Sequence, residues 1–205
     1  MEKNFIKYSK PMDKIIEKFE LFKHFESDIN QHFDTLNRYA SECNTIVEMG
    51  VRQIISTWAF LMGRPKKMIS IDFNHPMIYG GNIEEVYEIT KENSIDYQFV
   101  LANTLECNID ECDLLFIDTW HDYQQLKSEL FRHSNKVKKY IILHDTLSYG
   151  FTNERLYENY DEERLETNLP KGLNFAIDEF LFSEKNWYIH ERFAHNNGLT
   201  ILKRI

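Results

Sequence analysis

The chain has 205 residues, 42% of them hydrophobic and 14% aromatic, enough to bury a sizeable core in a single domain. Its formal net charge of -9 excludes a dedicated nucleic-acid binder, which needs a basic face to displace counterions from phosphates. No apolar run is long enough to span a bilayer, the polar start Met1-Glu2-Lys3-Asn4 does not read as a secretory leader, and Cys43, Cys107 and Cys112 form no C-x-x-C pair. Reduced structural thiols in a cytoplasmic protein are expected.

Residues 12–40 are predicted to be helical, with Ile15, Ile16, Phe19, Phe22 and Phe25 recurring at helical spacing. That stripe is read as core, or as a cap over a ligand site opening beside it. From Thr45 short apolar runs alternate with helical patterns. Strands are expected at 45–49, 68–72, 97–102, 113–117 and 139–144, and helices at 56–62, 82–92, 120–134 and 172–183. This alternation implies a parallel sheet with both faces covered. Thr119 and Asp122 offer a capping box for the third of those helices. Arg132, Lys136, Lys138 and Lys139 fall together where cations complement a helix C-terminus. Residues 147–170 carry Tyr149, Phe151, Tyr157 and Tyr160 among acids, with Arg155 and Arg164; they read as a substrate-recognition loop or a charged surface helix. Two last strands, Trp187–Phe193 and Leu199–Arg204, flank Asn197-Gly198, a strong hairpin signal. The parallel sheet therefore ends in an antiparallel hairpin.

The most informative stretch is Glu48-Met-Gly50 after the first apolar run, with Asp72 ending the second. In α/β nucleotide-binding folds, ligands sit outside the carboxyl ends of the strands, where glycine admits the backbone and an acid grips a ribose. Glu48-Met-Gly50 with Ser56-Thr57, Ser70-Ile-Asp72, Leu115-Phe-Ile-Asp118-Thr-Trp-His121-Asp-Tyr123 and Ile142-Leu-His144-Asp145-Thr146 together resemble the class I S-adenosylmethionine-dependent methyltransferases over residues 45–205. The likeness is nearest to the small sugar and natural-product O-methyltransferases and the cephalosporin-hydroxylase-like group. It implies a Rossmann-like α/β fold with a seven-stranded, mostly parallel sheet, a C-terminal antiparallel hairpin, and helices on both faces. The whole chain, 1–205, would be one methyltransferase domain, with residues 1–44 as an N-terminal helical cap. The first motif departs from the family, which often carries two or three glycines where this chain has Gly50 alone before Ser56.

The resemblance places S-adenosylmethionine against Glu48, Gly50 and Ser56, with Asp72 accepting from the ribose hydroxyls, Asn103 and Thr104 near adenine, and Asp118 beside the cofactor. Asp118 and Asp145 end adjacent strands about 4.8 Å apart. Two such acids repel unless one is protonated or a cation lies between them. A divalent ion, Mg²⁺ or Mn²⁺, resolves the conflict and can activate a substrate hydroxyl. The metal ligands expected are Asp118 and Asp145, with His144 or Thr146 as the third. His121 is the favoured base, ahead of His144, while His24, His32, His133, His190 and His195 are expected to be structural or exposed. Tyr123 would line the pocket or pack on the sheet.

The function these features imply is O-methylation of a sugar hydroxyl, such as that of a deoxyhexose like rhamnose, in a glycan or glycoconjugate. Partners would be the glycan or small-molecule substrate, a second copy of the chain, and a glycosyltransferase. Methylation of a phenol, or a methyltransferase-fold binding module without catalysis, are the alternatives. A nicotinamide oxidoreductase lacks its G-x-G-x-x-G here.

Overall fold

The computed structural model describes residues 13–154 and 170–205. Seven strands, β1 (Thr45–Met49), β2 (Lys67–Asp72), β3 (Asp96–Leu101), β4 (Cys112–Ile117), β5 (Val137–His144), β6 (Trp187–Phe193) and β7 (Leu199–Arg204), form one sheet of order β3-β2-β1-β4-β5-β7-β6. The first five run parallel, and β7 inserts antiparallel between β5 and β6. The order reverses between β1 and β4, the switch point where such sheets take their ligands.

Strand alternation decides what each face carries. Ile46, Leu114, Phe116 and Ile142 point into one apolar layer with helices α1 (Lys14–His24), α2 (Phe33–Ala40), α3 (Ile55–Met62) and α4 (Ile83–Glu92). Val47, Met49, Leu115, Ile117, Ile141 and Leu143 point into the other, with α5 (Tyr123–His133) and α6 (Leu173–Ser183). Continuing the count puts Glu48, Asp118 and His144 on the α1–α4 side, at the carboxyl ends of the three central parallel strands.

Three expectations are corrected. The single N-terminal helix is broken: Phe25 is extended (ψ 125°), and Ser27 Oγ accepts the Asn30 N–H to start a new turn before α2. The break lets both pieces bury an apolar face, Ile15 and Phe19 from α1, and Phe33, Leu36, Tyr39 and Ala40 from α2. The capping box at Thr119 does not form. Asp122 alone caps α5, accepting from the Gln124 and Gln125 amides, and the Thr119 hydroxyl turns to Glu129 instead. The C-terminal turn is centred on Asn196 (φ 46°) and Asn197 (φ 69°), closed by Gly198 N–H to His195 O at 2.9 Å. That is a turn with positive φ at both central residues, shifted one residue from the Asn-Gly reading. Gly198 is required beside it because a Cβ there would lie 2.4 Å from the Leu147 nitrogen.

The segment expected to recognise substrate lies partly outside the described residues, with Arg155, Tyr157, Tyr160 and Arg164 among them. All three cysteines are free thiols, two of them buried. Among the described residues no helix is long and apolar enough to cross a membrane.

Candidate active site

Glu48 is fully buried, and alternation aims it at α3. Ser56 Oγ and Thr57 Oγ1 on α3 donate to it at 2.6 and 2.8 Å, and Ser70 Oγ, its register partner on β2, donates at 2.6 Å. Burial pushes the Glu48 carboxyl up to about 7, against the three hydroxyl bonds that favour its charge. Glu48 and Ser56 thus tie α3 to the sheet, both of them buried. Gly50 (φ 86°) is held by the next strand, since a Cβ there would sit 1.9 Å from the Asp118 carbonyl oxygen. Asp72 braces the following loop: Oδ2 accepts from the Val51 and Arg52 amides at 2.7 and 3.0 Å, and Oδ1 from Asn74 N at 2.8 Å. A carboxylate has about four acceptor sites, so one is left for a ribose hydroxyl. Within that loop Arg52 and Ile54 take left-handed φ angles of 46° and 67°, a region that glycine enters without steric cost.

The ends of β4 and β5 hold the chemistry. The register sets Ile117 beside Leu143, which brings Asp118 next to His144 and leaves Asp145 one residue beyond. Asp145 is left-handed (φ 58°). His121 Nε2 lies 3.3 Å from Asp118 Oδ1 and 2.9 Å from Asp145 Oδ2. His144 Nδ1 lies 3.3 and 3.1 Å from the same two oxygens. Burial alone would lower the His121 pKa, but hydrogen bonds and charge from Asp118 and Asp145 outweigh it and raise it to about 10. His144 is likewise raised, against its own burial. Both carboxyls go the other way: burial resists, yet the imidazoles hold Asp118 and Asp145 below the usual range. Thr146, the alternative third ligand, is turned away, with its hydroxyl accepting from Thr200 Oγ1 at 2.9 Å.

Glu154 and the Asn196 carbonyl gave no sequence signal, whereas Tyr149 lies in the segment read as a substrate-recognition loop or a charged surface helix. Glu154 Oε2 sits 2.9 Å from His121 Nδ1, and Tyr149 stacks on the His121 ring at 4.7 Å between centroids. The Asn196 carbonyl receives both His144 Nε2 (3.2 Å) and the buried His32 Nε2 (3.1 Å). Burial, then the nearby His144 and His195, lower the His32 pKa to about 4. Thr104 is drawn into α5's buried Glu129, donating at 2.5 Å, so it braces the loop after β3. Asn103 turns its side chain to Leu105 N and to Glu106. Tyr123 leaves the pocket for Glu179.

Both expected small partners meet residues suited to them. For a nucleoside, the Trp120 indole N–H is buried without a hydrogen-bond acceptor, and Phe73, next to Asp72, is 72% exposed. An unmet donor and an open aromatic face beside the switch point suit adenine and its stacking. For a metal ion, ligand atoms of Asp118, His121 and Asp145 all lie within 4.8 Å of one another. A separate half-open cavity of about 240 Å³ lies behind the Ile54 loop, lined by Phe22, Phe25, Trp58 and Tyr79. The N-terminal helix therefore does border a cavity, though none of the expected site residues lines it.

Solved structures share this architecture. An O-methyltransferase from Bacillus cereus in complex with SAH is 12% identical, with 98% of this chain and 94% of that chain aligned at a TM-score of 0.61. An SAH-bound methyltransferase from Podospora anserina is 16% identical (94% and 88%, TM-score 0.57). A S-adenosylmethionine-dependent methyltransferase from Clostridium acetobutylicum is 13% identical (92% and 96%, TM-score 0.55). No protein-family model matches the chain, and no curated protein matches it. The chain has the Rossmann-like fold of the class I S-adenosylmethionine-dependent methyltransferases, with the mostly parallel sheet and antiparallel C-terminal strands that the sequence implied.

Proposed function

We propose that the protein transfers a methyl group from S-adenosylmethionine to a hydroxyl oxygen, with a sugar as the acceptor and a divalent ion assisting. The observation that carries this is the meeting of Asp118, His121, His144 and Asp145 at the ends of β4 and β5, one strand from the Gly50 turn. Four ionisable side chains held together and largely out of water cost folding free energy. A reaction that must activate a weak nucleophile gives that cost a use.

Asp118, Asp145 and His121 would hold the ion, which when bound lowers the pKa of the acceptor hydroxyl. Glu154 fixes the His121 ring through Nδ1, and Tyr149 fixes its plane. Both ring nitrogens of His121 are engaged, so it orients and holds in this proposal in place of the base role expected for it, and the hydroxyl, made more acidic by the ion, would give its proton to water. Trp120 and Phe73 would flank the adenine, and the spare acceptor of Asp72 would meet one ribose hydroxyl. Beyond the cluster, exposed Phe151 and Phe175, in edge contact at 5.9 Å, offer apolar faces of the kind that bind sugar rings. A glycan acceptor would make a glycosyltransferase the natural supplier of substrate.

The test is methyl transfer from labelled S-adenosylmethionine to a panel of free and nucleotide-linked sugars and simple catechols, with S-adenosylhomocysteine and NAD binding followed by calorimetry. Binding of S-adenosylhomocysteine but not NAD, and labelling of a sugar, are expected. Labelling of catechols alone would move the acceptor to phenols. A second reading, a binding module of the same fold, is favoured by the three backbone donors already on Asp72 and the left-handed Ile54. Absence of S-adenosylhomocysteine binding at millimolar concentration would select it.

A further inference from the structure

We infer that Asp118, His121, His144 and Asp145 form a mixed nitrogen–oxygen site for a first-row transition ion of the Zn²⁺ or Co²⁺ kind, which Mg²⁺ fills poorly. This rests on the cluster being a metal site, as proposed above, and not on the identity of the methyl donor.

The two imidazoles carry the argument. Their near nitrogens, His121 Nε2 and His144 Nδ1, both face Asp118 Oδ1 and Asp145 Oδ2 at 2.9–3.3 Å. Their far nitrogens are each held by an acceptor, Glu154 Oε2 at 2.9 Å for His121 and the Asn196 carbonyl at 3.2 Å for His144. A histidine that ligates a metal almost always gives its other N–H to a carboxylate or a backbone carbonyl, which fixes the tautomer and turns the remaining lone pair toward the ion. Here both histidines have that arrangement, one of each kind. With the far N–H groups so used, a cation entering between the rings would take the place of the protons on the two near nitrogens, meeting two imidazole nitrogens and two carboxylate oxygens at once.

The same geometry selects the ion. Mg²⁺ takes oxygen ligands in near-ideal octahedral geometry and keeps several of its waters, whereas imidazole suits zinc and its neighbours. The His144 side chain is fully buried and that of Asp145 is 5% exposed, while Asp118 at 24% and His121 at 16% open the cluster on one side, so an ion there would meet water from that side only. The positions are also set from outside. Asn196 is fixed by its left-handed turn and by His32, which reaches the same carbonyl from α2's side at 3.1 Å.

The experiment uses tag-free protein stripped with chelator. Zn²⁺, Co²⁺, Mn²⁺ and Mg²⁺ are titrated by calorimetry, and Co²⁺ is followed by its visible absorption. Zn²⁺ and Co²⁺ should bind at least about 100-fold more tightly than Mg²⁺, with Co²⁺ giving the intense bands of a low-coordinate nitrogen-bound ion. Glu154→Gln, on a partly exposed side chain, should weaken Zn²⁺ about 10- to 100-fold while S-adenosylhomocysteine binding is unchanged. His121→Asp should narrow the preference for Zn²⁺ over Mg²⁺. Equal affinity for Mg²⁺, or no metal binding by a protein that still binds S-adenosylhomocysteine, would overturn the inference. Metal binding without S-adenosylhomocysteine binding would uphold it and overturn the methyl-transfer proposal.

Discussion

Glu48 and Asp72, on β1 and β2, face neutral hydroxyls and backbone amides, whereas Asp118 and Asp145, at the ends of β4 and β5, face imidazoles. All four are acids in or just after an apolar strand of the same sheet. What separates them is the partner. Neutral donors satisfy a carboxylate and leave it a brace; ionisable nitrogens leave the charge open to a proton, a metal ion or a substrate. The β1–β2 side fixes the scaffold, and the β4–β5 side is the one to which the proposed function assigns exchange.

Gly50 joins the two sides and gives the largest expected effect. Gly50→Ala puts a methyl group into the Asp118 carbonyl in a left-handed backbone, so it should cost about 3 kcal/mol or more by chemical denaturation. A cost below about 1 kcal/mol would show that the strand crossing is loose and that glycine serves the cofactor alone. Next comes His121→Gln, which should lower methyl transfer about 10²- to 10⁴-fold. Metal affinity should fall with it. Lost activity with unchanged metal affinity and a shifted pH profile would return His121 to the role of base.

How much of this the sequence made legible follows the range of each interaction. Short apolar runs locate β1, β2 and β4, whose side chains alternate between the two faces of the sheet, and Asp118 and Asp145 stand out because each closes or follows such a run. Glu48 was placed at the ligand, although the same alternation aims it under α3, with Ser56 and Thr57 eight and nine residues on as the available clue. The break after Phe25 was hidden because the apolar spacing continues through it while the chain turns at Glu26-Ser27-Asp28. Glu154 and Asn196 join the site from 33 and 52 residues away in sequence from His121 and His144, and no local pattern reports such pairs. Positive φ at three successive residues, Asn196 to Gly198, was half visible as Asn-Gly; that the turn's carbonyl would hold two histidines was not.

The brace side should respond to pH in its own way. Glu48's folded pKa, about 7, lies above its ordinary 4.5, so the native state holds a proton that the unfolded chain releases. Stability from this group is complete below pH 4.5 and is lost as pH rises to 7, by roughly 3 kcal/mol in all. Glu48→Gln keeps one uncharged acceptor oxygen, puts at the other position an NH₂ group from which the facing hydroxyl must turn to accept, and removes that slope. The gap between the two proteins, measured by denaturation at pH 5 and pH 8, should move in favour of the variant at the higher pH. A constant gap would mean that Glu48 stays charged in the fold, and the contrast between the two sides would be weaker than drawn.

Asp72 is the sharpest test of that contrast because it stands where a ribose ligand would bind yet is bonded as a brace. In Asp72→Asn one terminal oxygen becomes an NH₂ group. If the amide takes the Oδ2 position, it meets the Val51 and Arg52 N–H groups donor to donor; if it flips, it meets Asn74 N–H. Either way at least one backbone donor loses its acceptor, and the charge that strengthened the others is gone. The expected cost is about 2 kcal/mol of stability. S-adenosylhomocysteine affinity should fall less than tenfold, since one acceptor site at most was free for the ribose. The opposite split, unchanged stability with cofactor affinity lost by 100-fold or more, would place Asp72 with Asp118 and Asp145 on the exchanging side of the molecule. It would also mean that the Val51–Ile54 loop lifts off Asp72 when the cofactor arrives.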